Sequence, residues 1–192
     1  MLLIGLTGKA GSGKTTAARY LSDLYGIPRR PFAFPLKCMI GALGFPAEVL
    51  DGPSHVKELP TEKLAGHSLR HAMQTLGTQW GREIMGQDFW VRQWENTLDQ
   101  PGCIADDVRF PNECEAIRSR GGVILRVERD GAGVRGEGAK HASEQCDKLW
   151  YDAVIPNNGS VDDFHARLGF ASRPAAIAAG RVRLPVAMGA QP

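Results

Sequence analysis

Residues Gly8-Lys9-Ala10-Gly11-Ser12-Gly13-Lys14-Thr15 constrain this chain more than any other stretch. The apolar run Leu2-Leu3-Ile4-Gly5-Leu6 leads into them, and a helix-forming stretch follows. The spacing G-x-x-x-x-G-K-[ST] between a strand and a helix lets the backbone curl until successive N–H groups point inward. Together with the positive end of the helix, those groups form a nest for a polyphosphate. Lys14 then reaches the β and γ phosphates of a nucleotide, and the Thr15 hydroxyl is a ligand for Mg²⁺. The competing reading, a glycine and lysine surface turn, does not account for the flanking strand and helix.

The rest of the chain alternates strands and helices. Lys14 to Tyr25 reads as a helix, with Ala17, Leu21, Leu24 and Tyr25 on one face and Gly26 with Pro28 closing it. Pro31 to Phe34 reads as a short extended piece, and Leu36, Met39, Ile40 and Leu43 recur at helical spacing. Gly44 to Gly66, interrupted by Pro46, Pro53 and Pro60, reads as an irregular, mobile insertion. Ser68 caps a helix with Leu69, Ala72, Met73 and Leu76 inward; Gln79 to Met85 and a stretch opened by Asp88 supply two more. Trp90 and Trp94 fall at helical spacing and are assigned to the core. Further strands are expected at Cys103 to Ala105, Val123 to Glu128 and Ala153 to Ile155, with a helix from Pro111 to Arg120.

Arg129 to His141 carries Gly131, Gly133, Gly136 and Gly138 among basic groups, the composition of a lid over phosphates. Ser160 and Asp163 open a last helix carrying Phe164 and Leu168. From Gly169 to the end no acidic residue occurs, and the segment reads as a poorly ordered tail. The expected fold is an α/β P-loop three-layer sandwich, a parallel sheet of about five strands wrapped on both faces.

Composition narrows the function classes. A net charge of +2 gives no reason to expect a nucleic-acid partner. Cys38, Cys103, Cys114 and Cys146 form no C-x-x-C pair and read as reduced thiols. No apolar run approaches the roughly 18 residues that span a bilayer. The expectation is a cytoplasmic chain, monomer or homodimer, without nucleic-acid or membrane partners.

Phosphoryl transfer needs a carboxylate for the metal, cations for the phosphoryl group and a closing element. Asp106 and Asp107 stand at a strand's carboxyl end, where ligands bind in α/β proteins, and either can hold Mg²⁺ or accept a proton; capping the next helix is the structural alternative. Arg70, Arg82 and Arg109 can grip a phosphate bidentately, and Gln74, four residues after Arg70, can read a base edge. His141 reads as a surface or capping residue rather than a catalyst.

Four motifs together resemble the bacteriophage-type deoxynucleoside monophosphate kinases. They are Leu6 to Thr16, Ser68-x-Arg70-x-x-x-Gln74-x-x-Gly77-Thr78-x-x-Gly81-Arg82, Asp107-Val108-Arg109-Phe110-Pro111-Asn112-Glu113, and His141-x-Ser143-Glu144. The resemblance covers residues 2 to 168 and implies transfer of the γ-phosphoryl of ATP to a deoxynucleoside 5′-monophosphate with Mg²⁺. It implies a kinase domain over 1–168, with an insertion and helical monophosphate-binding region at 45–100, a lid at 129–142 and a tail at 169–192. By the same resemblance Lys14, Asp107, Arg109 and Arg129 are catalytic, with Arg135 the alternative lid arginine. Gly8, Gly11, Ser12, Gly13, Lys14, Thr15 and Thr16 hold ATP, and Thr15 and Asp107 hold the metal. Arg70, Gln74, Thr78, Arg82, Arg109, Ser143 and Glu144 bind the acceptor. Asp106 is a departure, placing a second acid beside Asp107.

Ile4-Gly5-Leu6-Thr7-Gly8 also resembles dephospho-coenzyme A kinases, against which the Arg70, Gln74, Gly77, Thr78 and Arg82 set counts. A nucleotide-dependent switch is disfavoured because neither N-K-x-D nor D-x-x-G occurs in the expected places. Near-neutral charge disfavours a nucleic-acid motor.

Overall fold

The computed structural model describes residues 1–52, 54–98, 101–133 and 149–181. In chain order its elements are β1 (Leu2–Thr7), α1 (Lys14–Tyr25), α2 (Phe34–Gly41), α3 (Ala47–Leu50) and α4 (Ser54–Lys57). A 3₁₀ turn (Glu62–Leu64), α5 (Leu69–Thr75), a π-helical segment (Leu76–Ile84) and α6 (Phe89–Glu95) follow. The chain then forms β2 (Gly102–Ala105), α7 (Pro111–Arg118), β3 (Val123–Glu128), β4 (Ala153–Pro156) and α8 (Val161–Ala178). Two compact units result, one from Met1–Arg29 with Asp99–Pro192 and one from Arg30–Leu98.

In the first unit the four strands are all parallel, in the order β2-β1-β3-β4. β1 is buried throughout, which is why it reads as a continuous apolar run. Its period-two alternation sends Leu2, Ile4 and Leu6 into one core with Ala17, Ala18 and Leu21 of α1 and Phe164 and Leu168 of α8. Leu3 and Gly5 face the other side, where Ile117 of α7 fills the space that a Gly5 Cβ would take. Burying each such leucine or isoleucine contributes about 1.5–3 kcal/mol, so the central strand anchors whatever its carboxyl end carries.

Four strands, rather than about five, are described. Pro31 to Phe34 is a turn entering α2, and the strand expected there is reduced to one parallel bridge, Arg29 to Ile104. Pro28 and Pro31 carry no N–H and cannot extend a ladder; Pro28 contributes only its carbonyl, which accepts from Ile104 N at 2.9 Å.

The last helix also differs from expectation. Instead of yielding to a tail at Gly169, α8 continues to Ala178, with Ser172 and Ala176 fully buried. The Tyr25 hydroxyl and Ser172 Oγ share a 2.8 Å hydrogen bond, and Ala171 and Ala175 pack on the same core. Small residues here permit close approach of α8 to α1, a packing role that composition alone does not distinguish from low complexity. Residues 182–192 lie outside the described residues.

Cys38 is exposed, whereas Cys103 and Cys114 are buried; Cys146 lies outside the described residues. Burial first, and then the Glu113 carboxylate, push the Cys114 thiol up from 9.0 to about 11. A thiol reagent at pH 8 is therefore expected to label Cys38 at once and Cys114 only on unfolding. Because the folded value is raised, the unfolded thiol ionises first as pH climbs. The contribution is complete below 9.0 and is lost between 9.0 and about 11. Urea unfolding of wild type and Cys114→Ala at pH 8 and pH 10 checks this: the wild type is expected to lose more stability on that step.

In the second unit, α2, α5 and α6 gather around Leu36, Ile40, Leu50, Leu69 and Trp90. Gly44 to Gly66 is not irregular throughout: it contains α3, α4 and the 3₁₀ turn, and Leu50, Phe45, Val49 and Leu64 join that core. Trp90 and Trp94 are core residues, 4 % and 1 % exposed. Their indole N–H groups donate to Gly77 O at 2.8 Å and Arg30 O at 2.7 Å, which satisfies the one polar atom of each ring.

Candidate functional site

The loop between β1 and α1 takes its shape from its glycines. Gly8, Gly11 and Gly13 have φ of 133°, 78° and 108°, a region L-residues with side chains rarely enter. At Gly8 a Cβ would also stand 2.2 Å from Val127 O, so β3 approaches the loop closely only because none is there. Lys14 bends back along the loop it follows: its Nζ donates to Gly8 O at 2.6 Å and Lys9 O at 2.9 Å. Ser12 N donates to Lys9 O at 3.2 Å, closing the turn. Thr15 and Thr16 are exposed in the first turn of α1. Thr7 Oγ1 and Ser12 Oγ are buried without a hydrogen-bond partner among the described residues. A basic group held across a ring of glycine backbone, at the amino end of a twelve-residue helix, is the arrangement an extended phosphate chain requires.

At the carboxyl end of β2 the two adjacent acids have separate fates. Asp106 is buried and paired with Arg29, Nη2 to Oδ2 at 2.6 Å, while Asp107 is half-buried. The helix that follows is capped by Glu113: its Oε2 accepts from Arg109 N at 2.7 Å and Phe110 N at 3.1 Å. This fixes the backbone of the half-buried Arg109. Val108 N donates to Leu6 O at 3.1 Å, so the same turn is fastened to β1 two residues before the glycine loop begins.

In the second unit, Ser68 caps α5 as expected, its Oγ accepting from His71 N at 3.1 Å. Arg70 and Gln74 lie four residues apart in α5 and are both half-buried. Arg70 Nε donates to Glu58 Oε1 at 3.0 Å, an ion pair of the exposed kind that contributes little to stability. α5 runs on into the π-helical segment where a separate helix from Gln79 was expected. Each i→i+5 bond widens the turn, so the α-helical face of Gln74 does not carry through to Thr78 and Arg82. Arg82 is 6 % exposed and donates from Nη1 to Gln87 O at 3.0 Å.

Arg129 is exposed and directly follows β3. The residues after it return to the glycine loop, where Gly133 N donates to Ala10 O at 2.9 Å. The remainder of the expected lid, with Arg135 and His141, and Ser143 and Glu144, expected to bind the acceptor, lie outside the described residues.

Two contacts were not foreseen. Arg29 stands in an unremarkable Pro-Arg-Arg-Pro run, and no local signal ties it to Asp106. Asn157 Nδ2 donates to Ser12 O at 2.7 Å; the available signal was Asn157-Asn158-Gly159 at a strand's carboxyl end.

A model of the deoxynucleotide monophosphate kinase family matches residues 48–168. The match begins inside the segment expected to be an insertion. A protein of Acanthamoeba polyphaga mimivirus, provisionally named a deoxynucleotide monophosphate kinase, is 30% identical over 183 residues. That alignment covers 88% of this chain and 94% of the viral protein.

Proposed function

Since the chain belongs to the deoxynucleotide monophosphate kinase family and is thereby a phosphotransferase, we propose that it carries the γ-phosphoryl of ATP to a deoxynucleoside 5′-monophosphate. An oxygen of the acceptor's phosphate attacks the γ phosphorus. The bond to the β–γ bridging oxygen breaks, its electron pair leaves on ADP, and a deoxynucleoside diphosphate is released.

The observation that carries this reading is Lys14, held across the glycine loop at the end of β1. Moved from the Gly8 and Lys9 carbonyls onto the donor, its ammonium neutralises charge on the transferred group as the bond breaks. Gly8, Gly11, Ser12, Gly13, Thr15 and Thr16 bind the donor's phosphates. Arg70, Gln74, Thr78 and Arg82 receive the monophosphate, with Arg82 and Arg109 as phosphate clamps and Gln74 reading the base. Arg129 belongs with the groups that close over the phosphates. Asp107 is assigned the working carboxylate, being half-buried where Asp106 is buried against Arg29.

The residues fit Mg²⁺ of the kind shared with a substrate. Thr15 and Asp107 supply hard oxygen ligands, and among the described residues no cluster of three or more His, Cys, Asp or Glu is built to cage a metal alone. Held there by Thr15 and Asp107, Mg²⁺ would offset the charge of the donor's phosphates. Among the described residues, no helix is long and apolar enough to cross a membrane. We place the activity in the cytoplasm, on small-molecule substrates, in a monomer or homodimer.

The test is a phosphoryl-transfer panel with ATP and Mg²⁺ against dAMP, dCMP, dGMP, dTMP, modified pyrimidine monophosphates, ribonucleotides and dephospho-coenzyme A. ADP is expected to form only with a deoxynucleoside monophosphate. Turnover with dephospho-coenzyme A alone, or hydrolysis of ATP at the same rate without acceptor, would refute the reading.

A further inference from the structure

We propose that Asn157 is the positioning residue of the phosphate loop, fixing the Ser12 carbonyl so that the Gly13 N–H is aimed at the donor nucleotide; this rests on the ATP-dependent reading above. A trans peptide is planar, with its C=O and the following N–H pointing in opposite directions. A group that holds one therefore aims the other. Asn157 Nδ2 holds Ser12 O at 2.7 Å, which turns Gly13 N–H to the opposite side of the loop. Gly133 N does the same to Ala10 O at 2.9 Å, and so orients Gly11 N–H.

The position of Gly13 is itself explained by this contact. A Cβ there would stand 2.3 Å from Asn157 Nδ2, so a side chain would displace the amide that sets the loop. Asn157 is anchored in turn, because its own N donates to Glu128 O at 2.7 Å, one step beyond the β3 and β4 ladder. Its neighbour Asn158 accepts from Asp130 N at 2.9 Å through Oδ1. One corner after β4 thus fixes both the glycine loop and the first residues after β3. Neither asparagine carries a charge, so the corner works by direction rather than by attraction to phosphate.

ATP binding measured by calorimetry on the full chain, with thermal unfolding as the fold control, separates positioning from plain structural support. Asn157→Asp keeps the shape but places an acceptor against the Ser12 carbonyl; Asn157→Ala removes the donor. ATP affinity is expected to fall about tenfold in Asn157→Ala and further in Asn157→Asp, the scale of a lost hydrogen bond that leaves a polar group unpaired. KM for the monophosphate acceptor is expected to stay within about twofold, since the contact belongs to the donor loop. ATP affinity equal to wild type in either folded variant overturns the proposal, as does an equal loss toward both substrates. Failure of both variants to fold overturns it too, because that marks Asn157 as a structural pin. Absence of ATP binding by the wild type refutes the functional reading beneath it, and this proposal with it.

Discussion

Lys14→Ala is expected to lower kcat/KM for phosphoryl transfer by about a hundredfold or more, the scale on which a lost charge-stabilising contact is felt in a transition state. The expectation follows from the way the ammonium is held. Its Nζ donates to two loop carbonyls, Gly8 O and Lys9 O. The glycine conformations that shape the loop belong to Gly8, Gly11 and Gly13 themselves and are expected to survive its removal. Thermal unfolding is expected to shift by only a few degrees at most, so the loss belongs to chemistry and not to folding. Steady-state kinetics beside a melting curve decides it: wild-type kcat/KM in the alanine variant would remove Lys14 from the site.

Gly81→Ala is expected to destabilise the protein by about 2–4 kcal/mol, although it adds one methyl group. That methyl would stand 2.2 Å from Trp90 Nε1 and 2.5 and 2.7 Å from two further indole carbons. The indole is rigid, 4 % exposed and fastened to Gly77 O, so it cannot step aside without giving up that bond and part of its burial. Arg82 follows Gly81 directly and loses its setting when the π-helical segment shifts. Chemical denaturation should show the stability loss, and acceptor KM should rise in the variant even where the fold persists. An unfolding midpoint equal to wild type would show that the indole is not held as described. Two glycines of the second motif, Gly77 and Gly81, thus act through packing; a Cβ on Gly77 would stand 3.0 Å from Leu36 Cδ1.

Where chemistry is carried by local backbone, it was legible. The loop's φ values call for glycine at fixed places after a strand, so Gly8 to Thr15 is legible in eight consecutive residues. β1, α1, α5 and the Ser68 cap follow from period and cap chemistry acting over a few residues. The core tryptophans followed from helical spacing. Other readings failed where the deciding partner is distant in sequence. Gly169 to Ala178 resembled a tail because nothing local reveals that Tyr25 will meet Ser172, 147 positions later. Pro31 to Phe34 resembled a strand because an extended stretch and a turn between prolines share a composition.

By itself, then, the sequence determined that a parallel α/β sheet would present a phosphate loop, and which residue types could serve a kinase. Only the tertiary structure showed that Asp106 and Asp107 stand in different settings, because Arg29 arrives from 77 positions away to pair with Asp106. It alone showed that Asn157 reaches the Ser12 carbonyl, since a hydrogen bond spanning 145 positions leaves no periodicity or spacing behind. Local backbone geometry is written in neighbouring residues; the direction of a carbonyl inside that geometry is set by whatever the fold brings against it.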